Sequence, residues 1–519
     1  MGVKGLNLFV KNICPTVFKE LPNRLEALRG KKVVIDGTLI TQRYHYARQN
    51  YEHRHIYGWF RLARDLERAG VSAVCVFDGK ERSDAKAEEV QRRRDLRQLV
   101  GERWSVENAR YERLHKLKEG IQLFQTLDIS ARQQVLQSLK EPSFTKTQDS
   151  TALQRELLRK QPAASEKPPE FPAQDAATPT TSASPTVPLA DVVSIFKSLH
   201  VSYKAGVAKL VTISADSEEA KAKMPAAETP EAAEAQDAAE ANVMTKKQTE
   251  LSTEEGQLWH KITQSLDSPT AEIDANVEQS IQELVKQSHE MSESFNRRRN
   301  APDSKIYGES QELLRALGIP CILTTGGIEA EALASSMVLA GHADYVASED
   351  TDVMVYEATL LKNITSYDSP LVTVSGADMR TSLGLTRSQF LDFALLLGTD
   401  FTHRIGQIGP TRAYAFIKDH GSIEGVVKHI ADNPKYKPTL PWDSYFAQVN
   451  IARLVFQTLP PVPPPESFQP TEKNEALAAE ILKKYGLAFF LMREDDWDYN
   501  LAYAATVGGN YFGDNPSTW

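Results

Sequence analysis

Hydrophobic and polar positions along this chain fall into blocks that predict strands and helices in a repeating order. The apolar run VVI at 33–35 ends in Asp36, and the run from Val71 to Phe77 ends in Asp78. Between them, Tyr57 to Ala69 shows the apolar periodicity of a helix. Buried strands separated by helices are typical of an α/β fold with a central, mostly parallel sheet.

The same order returns later in the chain. Ile319 to Leu323 is a short apolar run, Ala330 to Leu339 has the composition of a buried helix, and Ala343 to Ala347 is a second apolar run. A strand, a helix and a strand in this order predict a crossover unit. We therefore expect its two strands to be parallel and adjacent.

Two pairs of carboxylates follow these strands. Glu329 and Glu331 stand at the start of the predicted helix, and Asp350 and Asp352 follow the second strand. Carboxyl ends of parallel strands are where sites collect in such sheets, and four repelling carboxylates there favour hard divalent cations. The alternative is a solvated loop and an acidic helix start without a metal. Asp36 and Asp78 favour the metal site, because they end two further strands in the same way.

Composition and charge narrow the classes of protein that the chain can belong to. The chain has 519 residues, a formal charge of -9 at pH 7 and a pI near 5.8, which argues against a wholly basic nucleic-acid coat. Its three cysteines form no CxxC pair and suit a reducing intracellular compartment. No apolar run is long enough to span a bilayer. We also expect no cleaved leader, because Glu20 and Glu26 come early and such leaders are poor in acids.

The middle of the chain is less regular. Residues 141–188 are rich in Pro, Ser, Thr and Ala, and residues 214–258 repeat acidic alanine-rich phrases without an aromatic residue. Such composition predicts a disordered or loosely helical insert. An apolar stripe from Leu189 to Leu199 predicts a docking helix or a small packed element. We expect that deletion of Lys146 to Leu251 leaves the fold and basal activity intact.

A second candidate motif follows the acidic pairs. Thr386 to Leu397 is a predicted helix with a capping box, and it leads to Asp400. The phrase IGQIGPTRA at 405–413 then places two glycines three residues apart before Pro410. This spacing predicts a helix-hairpin-helix whose backbone amides bind a DNA phosphate, and the alternative is an ordinary turn between helices.

Several motifs in order carry a family resemblance. The start MGVKGL, the phrases VVIDG, VFDGK, GIEAEA and SEDTD, and LLGTDF followed by IGQIGP resemble the flap-endonuclease/XPG family of structure-specific 5′ nucleases. The resemblance covers about residues 1–97 and 297–428, and it implies a PIN-like nuclease domain. The insert falls where the family has its helical arch, as in the XPG branch.

The resemblance also implies roles for individual residues. The carboxylates that match the family's ligands for two Mg²⁺ ions are Asp36, Asp78, Glu329, Glu331, Asp350, Asp352 and Asp400. Lys86 and Arg92 lie near the positions of the basic residues that steer the scissile phosphate. The candidate DNA contacts are Gly2, Arg297, Arg298, Gly406, Gly409 and Arg412. Mn²⁺ is an alternative to Mg²⁺, and the helix-hairpin-helix is a candidate K⁺ site.

The sequence departs from the family pattern at a few positions. Gln42 stands where flap endonucleases usually place a tyrosine that stacks on a base, and Tyr44 or Tyr46 is a candidate substitute. Ile328 replaces the small residue before the first glutamate. The carboxyl end carries no QxxLxxFF-type sliding-clamp peptide. These departures leave the branch of the family and the preferred DNA structure open.

The predicted organisation has five parts. They are an N-terminal nuclease block at 1–104, an insert at 105–296, an internal nuclease block at 297–384, a helix-hairpin-helix subdomain at 385–458 and a tail at 459–519. We expect a monomeric Mg²⁺-dependent nuclease that acts on branched or 5′-ended DNA. The expected compartment is the nucleus, and the mitochondrion is the alternative.

Two other functions stay open at this point. One is a silent scaffold in RNA-level regulation, as in fungal proteins that resemble this family but have degraded sites. The other is an RNA-directed nuclease of the wider PIN class. The complete set of acids argues against the scaffold, and the predicted helix-hairpin-helix argues against the RNA nuclease.

Overall fold

A computed structural model describes residues 2–47, 52–81, 84–139, 189–222, 234–264 and 275–491. The chain forms two compact units. The first contains Met1–Asp95, Met224–Glu240 and Asn300–Trp519, and the second contains Leu96–Lys223 and Ala241–Arg299. Among the described residues, none of the helices combines the length and the apolar character that a membrane crossing requires.

The first unit is built on one sheet, which has seven strands within the described residues. The strands are β1 (Phe18–Leu21), β2 (Lys32–Asp36), β3 (Ser72–Phe77), β4 (Cys321–Leu323), β5 (Tyr345–Ala347), β6 (Thr359–Lys362) and β7 (Leu371–Ser375). Their order is β1-β7-β6-β5-β2-β3-β4. The pairs from β6 to β4 are parallel, whereas β7 is antiparallel to both β6 and β1.

Helices cover both faces of this sheet, and further helices form the second unit. In chain order they are α1 (Leu6–Ile13), α2 (Gly37–Tyr46), α3 (Arg54–Ala69), α4 (Ala87–Thr126), α5 (Ile129–Leu139), α6 (Leu189–Ala222), α7 (Glu234–Gln264), α8 (Ala275–Arg299), α9 (Ser304–Ala316), α10 (Ala330–Leu339), α11 (Asp352–Val355), α12 (Gly376–Leu383), α13 (Arg387–Leu397), α14 (Pro410–His420), α15 (Ile423–Ile430), α16 (Trp442–Gln457) and α17 (Glu475–Lys484).

The strand pleat divides the core of the first unit in two. Val34 and its neighbours on one face pack with α1 and with α10 to α16. Val33 and Ile35 point to the other face and pack with α2, α3, α9 and α17, where Trp59 is fully buried. Successive strand residues face opposite sides, so a strand covered on both faces is apolar at every position. The uninterrupted VVI run reflects this double burial.

The predicted α/β class with a mostly parallel sheet is confirmed by these strand pairings. The predicted capping box of α13 is confirmed too, with Thr386 and Gln389 each bonding the other's backbone. The predicted adjacency of β4 and β5 is wrong, because β2 and β3 lie between them. The crossover helix α10 packs over β2 and β3 as well as β5. The N-terminal strands β2 and β3, buried on both faces, therefore separate β5 from the edge strand β4.

The second unit has a helical core of its own. Leu117 and Phe124 of α4 pack with Phe196 of α6, Trp259 of α7 and Phe295 of α8, and all five are buried. Leu251 and Leu258 of α7 are buried in this core too, so the described end of residues 214–258 is a packed helix and not disordered or loosely helical. Its apolar residues are sparse, but helical spacing places them on one face of each helix, where several helices share them.

Buried charges in the second unit are paired. Glu255 on α7 lies 2.6 Å from the Nε of Arg113 and 3.2 Å from that of Arg110. The amide of Gln248 donates to Glu107 at 2.9 Å. These contacts join α7 to α4. The proline-rich residues 141–188 and the tail beyond Leu491 lie outside the described residues, so the predictions for them are not tested.

Candidate metal and phosphate site

Acidic side chains collect at the carboxyl edge of the parallel strands. Asp36 is the last residue of β2, Asp78 directly follows β3, and Asp350 lies just beyond β5. Glu329 and Glu331 stand at the start of α10, which follows β4. Because the ends of neighbouring parallel strands meet at one edge, residues far apart in the chain become neighbours.

Hydrogen bonds hold Asp36 in place. Its Oδ1 caps α2 by accepting from the backbone of Leu39 at 3.0 Å. Its Oδ2 accepts from the hydroxyl of Ser348 at 3.0 Å, and the same hydroxyl accepts from the backbone of Asp350 at 3.0 Å. Ser348 therefore joins the ends of β2 and β5. The sequence analysis did not single it out, although it directly precedes the acidic run.

The other acids are positioned by backbone contacts. Asp78 accepts a hydrogen bond at 2.9 Å from the backbone N–H of Ala330, the residue between Glu329 and Glu331. The Oδ1 of Asp350 accepts from the backbone of Asp352 at 2.9 Å. Asp78 and Asp350 are thus oriented by backbone N–H groups at the start of α10 and α11.

Two basic side chains face the acids. The Lys86 Nζ lies 2.5 Å from Glu329, 3.3 Å from Asp400 and 3.8 Å from Glu331. Arg93 donates to Asp400 at 3.0 Å. These contacts bring Asp400, which follows α13, into the same cluster as the glutamates of α10.

Burial makes this cluster electrostatically costly. Burial, with the nearby Asp78 second, raises the pKa of Asp36 to about 7. Burial and then Glu329 raise the pKa of Glu331 well above its usual value, and burial and then Asp350 do the same for Asp352. For Asp400 the opposing effect of burial is outweighed by Lys86 and Arg93, which lower its pKa.

The donor set fits divalent cations. Both carboxylate oxygens of Asp352 are buried and have no hydrogen-bond partner within the described part of the chain. Within the described residues, seven carboxyl groups face the two basic side chains Lys86 and Arg93, so the acids outnumber the bases. Buried unpaired charge is costly, and hard cations such as Mg²⁺ are satisfied by oxygen ligands. The residues that could hold such ions are the predicted ones: Asp36, Asp78, Glu329, Glu331, Asp350, Asp352 and Asp400.

Gly2 packs directly against the Asp350–Asp352 turn. Its φ is +87°, and a Cβ there would lie 2.3 Å from the Oδ1 of Asp350 and 2.5 Å from the Oγ1 of Thr351. Any side chain at this position would displace the turn, since such separations are far below van der Waals contact. The glycine is therefore part of the wall behind the carboxylates.

The two predicted phosphate-steering residues lie in different surroundings. Lys86 lies within the cluster, whereas Arg92 donates to Glu89 at 2.7 and 2.9 Å. Arg93, which was not selected from the sequence, reaches both Glu89 and Asp400. Lys86 directly precedes α4, and both Lys86 and Arg93 reach Asp400. A seven-residue spacing corresponds to about two helical turns, which returns to the same side of the helix axis. This periodicity was the signal available in the sequence.

The predicted helix-hairpin-helix residues lie just before α14 and in its first turn. Gly409 is the N-cap of α14, and Pro410 is its first residue. The N–H of Gly406 donates to the carbonyl of Lys437 at 2.9 Å, so this amide already has a protein partner. The Arg412 guanidinium donates to the carbonyl of Gln407 at 2.7 Å. The first turn of α14, rather than Gly406, offers the amides for a phosphate.

The remaining predicted residues lie on other elements of the fold. Arg297 and Arg298 lie in the last turn of α8, in the second unit. Gln42 donates to the hydroxyl of Tyr307 at 3.0 Å, so its side chain is engaged within the first unit. Tyr44 is buried against Trp59 and is therefore unsuited to stack on a base without rearrangement.

The sheet and its acidic edge define an α/β protein with a buried, carboxylate-rich site suited to divalent cations. Two family models match the chain in the same regions. The XPG N-terminal domain matches residues 1–100, and the XPG I-region matches residues 318–400. These two blocks contain all seven carboxylates. Over these two blocks the chain is similar to the XPG family of nucleases.

Curated relatives match the chain over part of their length. A flap endonuclease 1 from Fusarium vanettenii is 36% identical over 155 residues, which are 29% of this chain and 39% of the relative. A probable flap endonuclease 1 homolog from Danio rerio is 37% identical over 184 residues, which are 35% of this chain and 50% of the relative. The matched regions therefore span half or less of these relatives.

Among solved structures, the chain is similar to the catalytic core of Rad2 in complex with a DNA substrate. The sequence identity is 13%, the alignment covers 98% of this chain and 99% of that one, and the TM-score is 0.44. At that TM-score the likeness adds nothing to the strand order described above.

Proposed function

We propose that this chain is a divalent-metal-dependent nuclease that hydrolyses phosphodiester bonds in branched or 5′-ended DNA. The observation that carries the proposal is the convergence of seven carboxylates and Lys86 at one edge of the sheet. The two family-model matches support it, since both contain proposed ligands. Mg²⁺ is the proposed ion, with Mn²⁺ as its substitute.

The carboxylates would hold two such ions. When bound, the ions would supply an activated water and stabilise the charge on the attacking and leaving oxygens of an in-line displacement. Asp36, Asp350 and Asp352 are the most deeply buried of the acids and would lie nearest the ions. Ser348 would keep Asp36 oriented through its hydroxyl hydrogen bond.

The basic residues would meet the substrate phosphate. Lys86 is held at the cluster by three carboxylates, and Arg93 is held by Asp400 and Glu89. Cations would partly release these side chains by neutralising the acids, so that both could pair with phosphate oxygens. Developing negative charge on the phosphate would then be stabilised by groups already in place.

The first turn of α14 would bind the DNA duplex at a point away from the scissile phosphate. Helix N-termini bind phosphate through their free amides and the helix dipole, and Gly409 allows the backbone to approach closely. Arg412 stands in this first turn and would add a positive charge. Arg297 and Arg298 would contribute further DNA contacts from the second unit. A K⁺ ion at the turn before α14 is a further proposal.

Cleavage of a defined DNA panel tests this function. Purified protein is incubated with labelled flap, bubble, nicked and blunt duplexes in Mg²⁺, in Mn²⁺ and in EDTA. We expect cleavage of a branched or 5′-ended substrate only with a divalent ion. Asp350→Ala should abolish cleavage and leave DNA affinity unchanged or slightly higher, because it removes a negative charge.

A matched pair of glycine variants tests the duplex contact. Gly409→Val should weaken binding to duplex DNA by about tenfold, because a side chain would block the approach of the phosphate. Gly308→Val, at a helical position with open space around it, is the control and should bind as the wild type does. Affinities are compared at one stated salt concentration. Wild-type protein that binds none of the DNAs and cuts none with either ion would favour the scaffold function.

A further inference from the structure

A second group of metal-ligating side chains lies outside the carboxylate cluster. His53, His55 and Glu309 each offer one ligand atom, and the three atoms lie within 4.8 Å of one another. His53 and His55 flank the start of α3, and Glu309 lies in the middle of α9. The nuclease function proposed above uses none of them.

The geometry is close to that of a three-ligand metal site. The Nε2 of His55 lies 2.9 Å from the Oε2 of Glu309, and both side chains are buried. Zinc bonds to nitrogen and oxygen of about 2.1 Å place neighbouring ligand atoms roughly 3.4 Å apart. A cation could therefore replace the shared proton of this hydrogen bond after a small widening of the pair.

His53 completes the arrangement. Its backbone occupies the N-cap of α3, but its side chain makes no capping hydrogen bond. Its ring packs on Tyr485, with centroids 4.5 Å apart, and lies 6.1 Å from the ring of His55. The contact with Tyr485 positions the His53 ring beside that of His55. The ring takes no part in capping α3.

The donor chemistry selects the class of ion. Two imidazoles and one carboxylate suit Zn²⁺ and similar first-row transition metals, whereas Mg²⁺ prefers oxygen ligands alone. We propose that His53, His55 and Glu309 form a Zn²⁺-class site, with water in the remaining coordination position. The ion would connect the start of α3 to α9. It would stabilise the packing of these two helices on the sheet face opposite α10.

Zinc titration of the full-length protein tests the proposal. Zn²⁺ is titrated in competition with a chromophoric chelator, in excess Mg²⁺ so that the oxygen-only carboxylate cluster is occupied. Wild-type protein should bind one Zn²⁺ ion under these conditions. His53→Ala and Glu309→Gln should each weaken this binding by about tenfold or more. Co²⁺ in place of Zn²⁺ should give visible absorption typical of a four-coordinate site with nitrogen ligands.

His45→Ala is the matched control. The Nε2 of His45 is bonded to the carbonyl of Asn300 at 2.7 Å, so this histidine is outside the ligand set and its loss should leave zinc affinity unchanged. Circular dichroism and size-exclusion chromatography establish that each variant is folded. If wild type binds no Zn²⁺ in excess Mg²⁺, or if His53→Ala binds it as tightly as wild type, the proposal is refuted. The His55–Glu309 contact would then be a buried hydrogen bond only.

Discussion

Replacing Asp36 by asparagine should stabilise the metal-free protein while abolishing cleavage. Asparagine has the same shape and caps a helix as well as aspartate does, so the hydrogen bond from Leu39 is kept. Its amide can donate to Ser348, whose hydroxyl can accept. The substitution therefore removes a buried negative charge and little else.

The magnitude follows from the pKa of Asp36. Burial raises it from 3.8 to about 7 in the folded protein. Because the pKa is higher in the folded protein, the carboxyl group loses its proton at a lower pH in the unfolded chain. The free energy of unfolding therefore falls as pH rises from about 4 to 7. Three pKa units correspond to about 4 kcal/mol, and the cost is fully present above pH 7. Asp36→Asn should recover part or all of this energy at pH 8 and far less at pH 4.

Urea denaturation followed by circular dichroism measures the effect, with EDTA present, across this pH range. Asp344→Asn is the control, because Lys31 and the backbone of Lys32 bind the Asp344 carboxylate and its pKa is lowered. That variant should be slightly less stable than wild type at pH 8. Added Mg²⁺ should stabilise wild type more than Asp36→Asn, since the ion needs the charge that the variant lacks.

The opposite ordering would refute the electrostatic reasoning. If metal-free Asp36→Asn is less stable than wild type at pH 8, Asp36 contributes mainly through its hydrogen bonds. If the difference between the two proteins does not change between pH 4 and pH 8, burial does not raise the pKa of Asp36 as described. Either result would also weaken the assignment of this edge as a cation site.

Three further predictions follow from the geometry. Arg93→Ala should lower the cleavage rate by about 10²-fold in single-turnover assays, whereas Arg92→Ala should lower it far less, because only Arg93 is placed against Asp400. Gly2→Ala should lower cleavage at least tenfold with little change in DNA affinity, because its Cβ would displace Asp350. Phe196→Ala should destabilise the helical unit by about 3–5 kcal/mol in thermal denaturation, and an unchanged melting curve would contradict the packed core.

The sequence predicted the parts of the fold that depend on local pattern. The runs at 33–36 and 71–78 became β2 and β3 with their aspartates at the carboxyl edge, since doubly buried strands are apolar throughout. Thr386 and Gln389 capped α13 as expected, because capping depends on residues close in the chain. All seven predicted carboxylates are brought together in one cluster; their roles as ligands remain a proposal.

The sequence did not predict what depends on distant packing. β2 and β3 lie between β4 and β5. The order of strands in a sheet depends on how they pack together, and local periodicity does not predict it. The core of the second unit was not predicted, because Leu251 and Leu258 follow a long stretch of acidic and alanine-rich sequence. Average composition hides a helical stripe that supplies only one apolar residue per turn.

The inserted helical unit also bears on how the chain is made. The Cδ of Arg299, at the end of α8, would lie 3.5 Å from a Cβ at Gly101 in α4, so the unit begins and ends at nearly the same place. A ribosome delivers β2 and β3 long before β5, whose Val346 must pair with Val34. If the helical unit folds while it is being synthesised, it closes this long gap in advance. The chain between β3 and β4 is then already shortened when β4 and β5 emerge, so less loop-closure entropy is lost when the carboxylates meet.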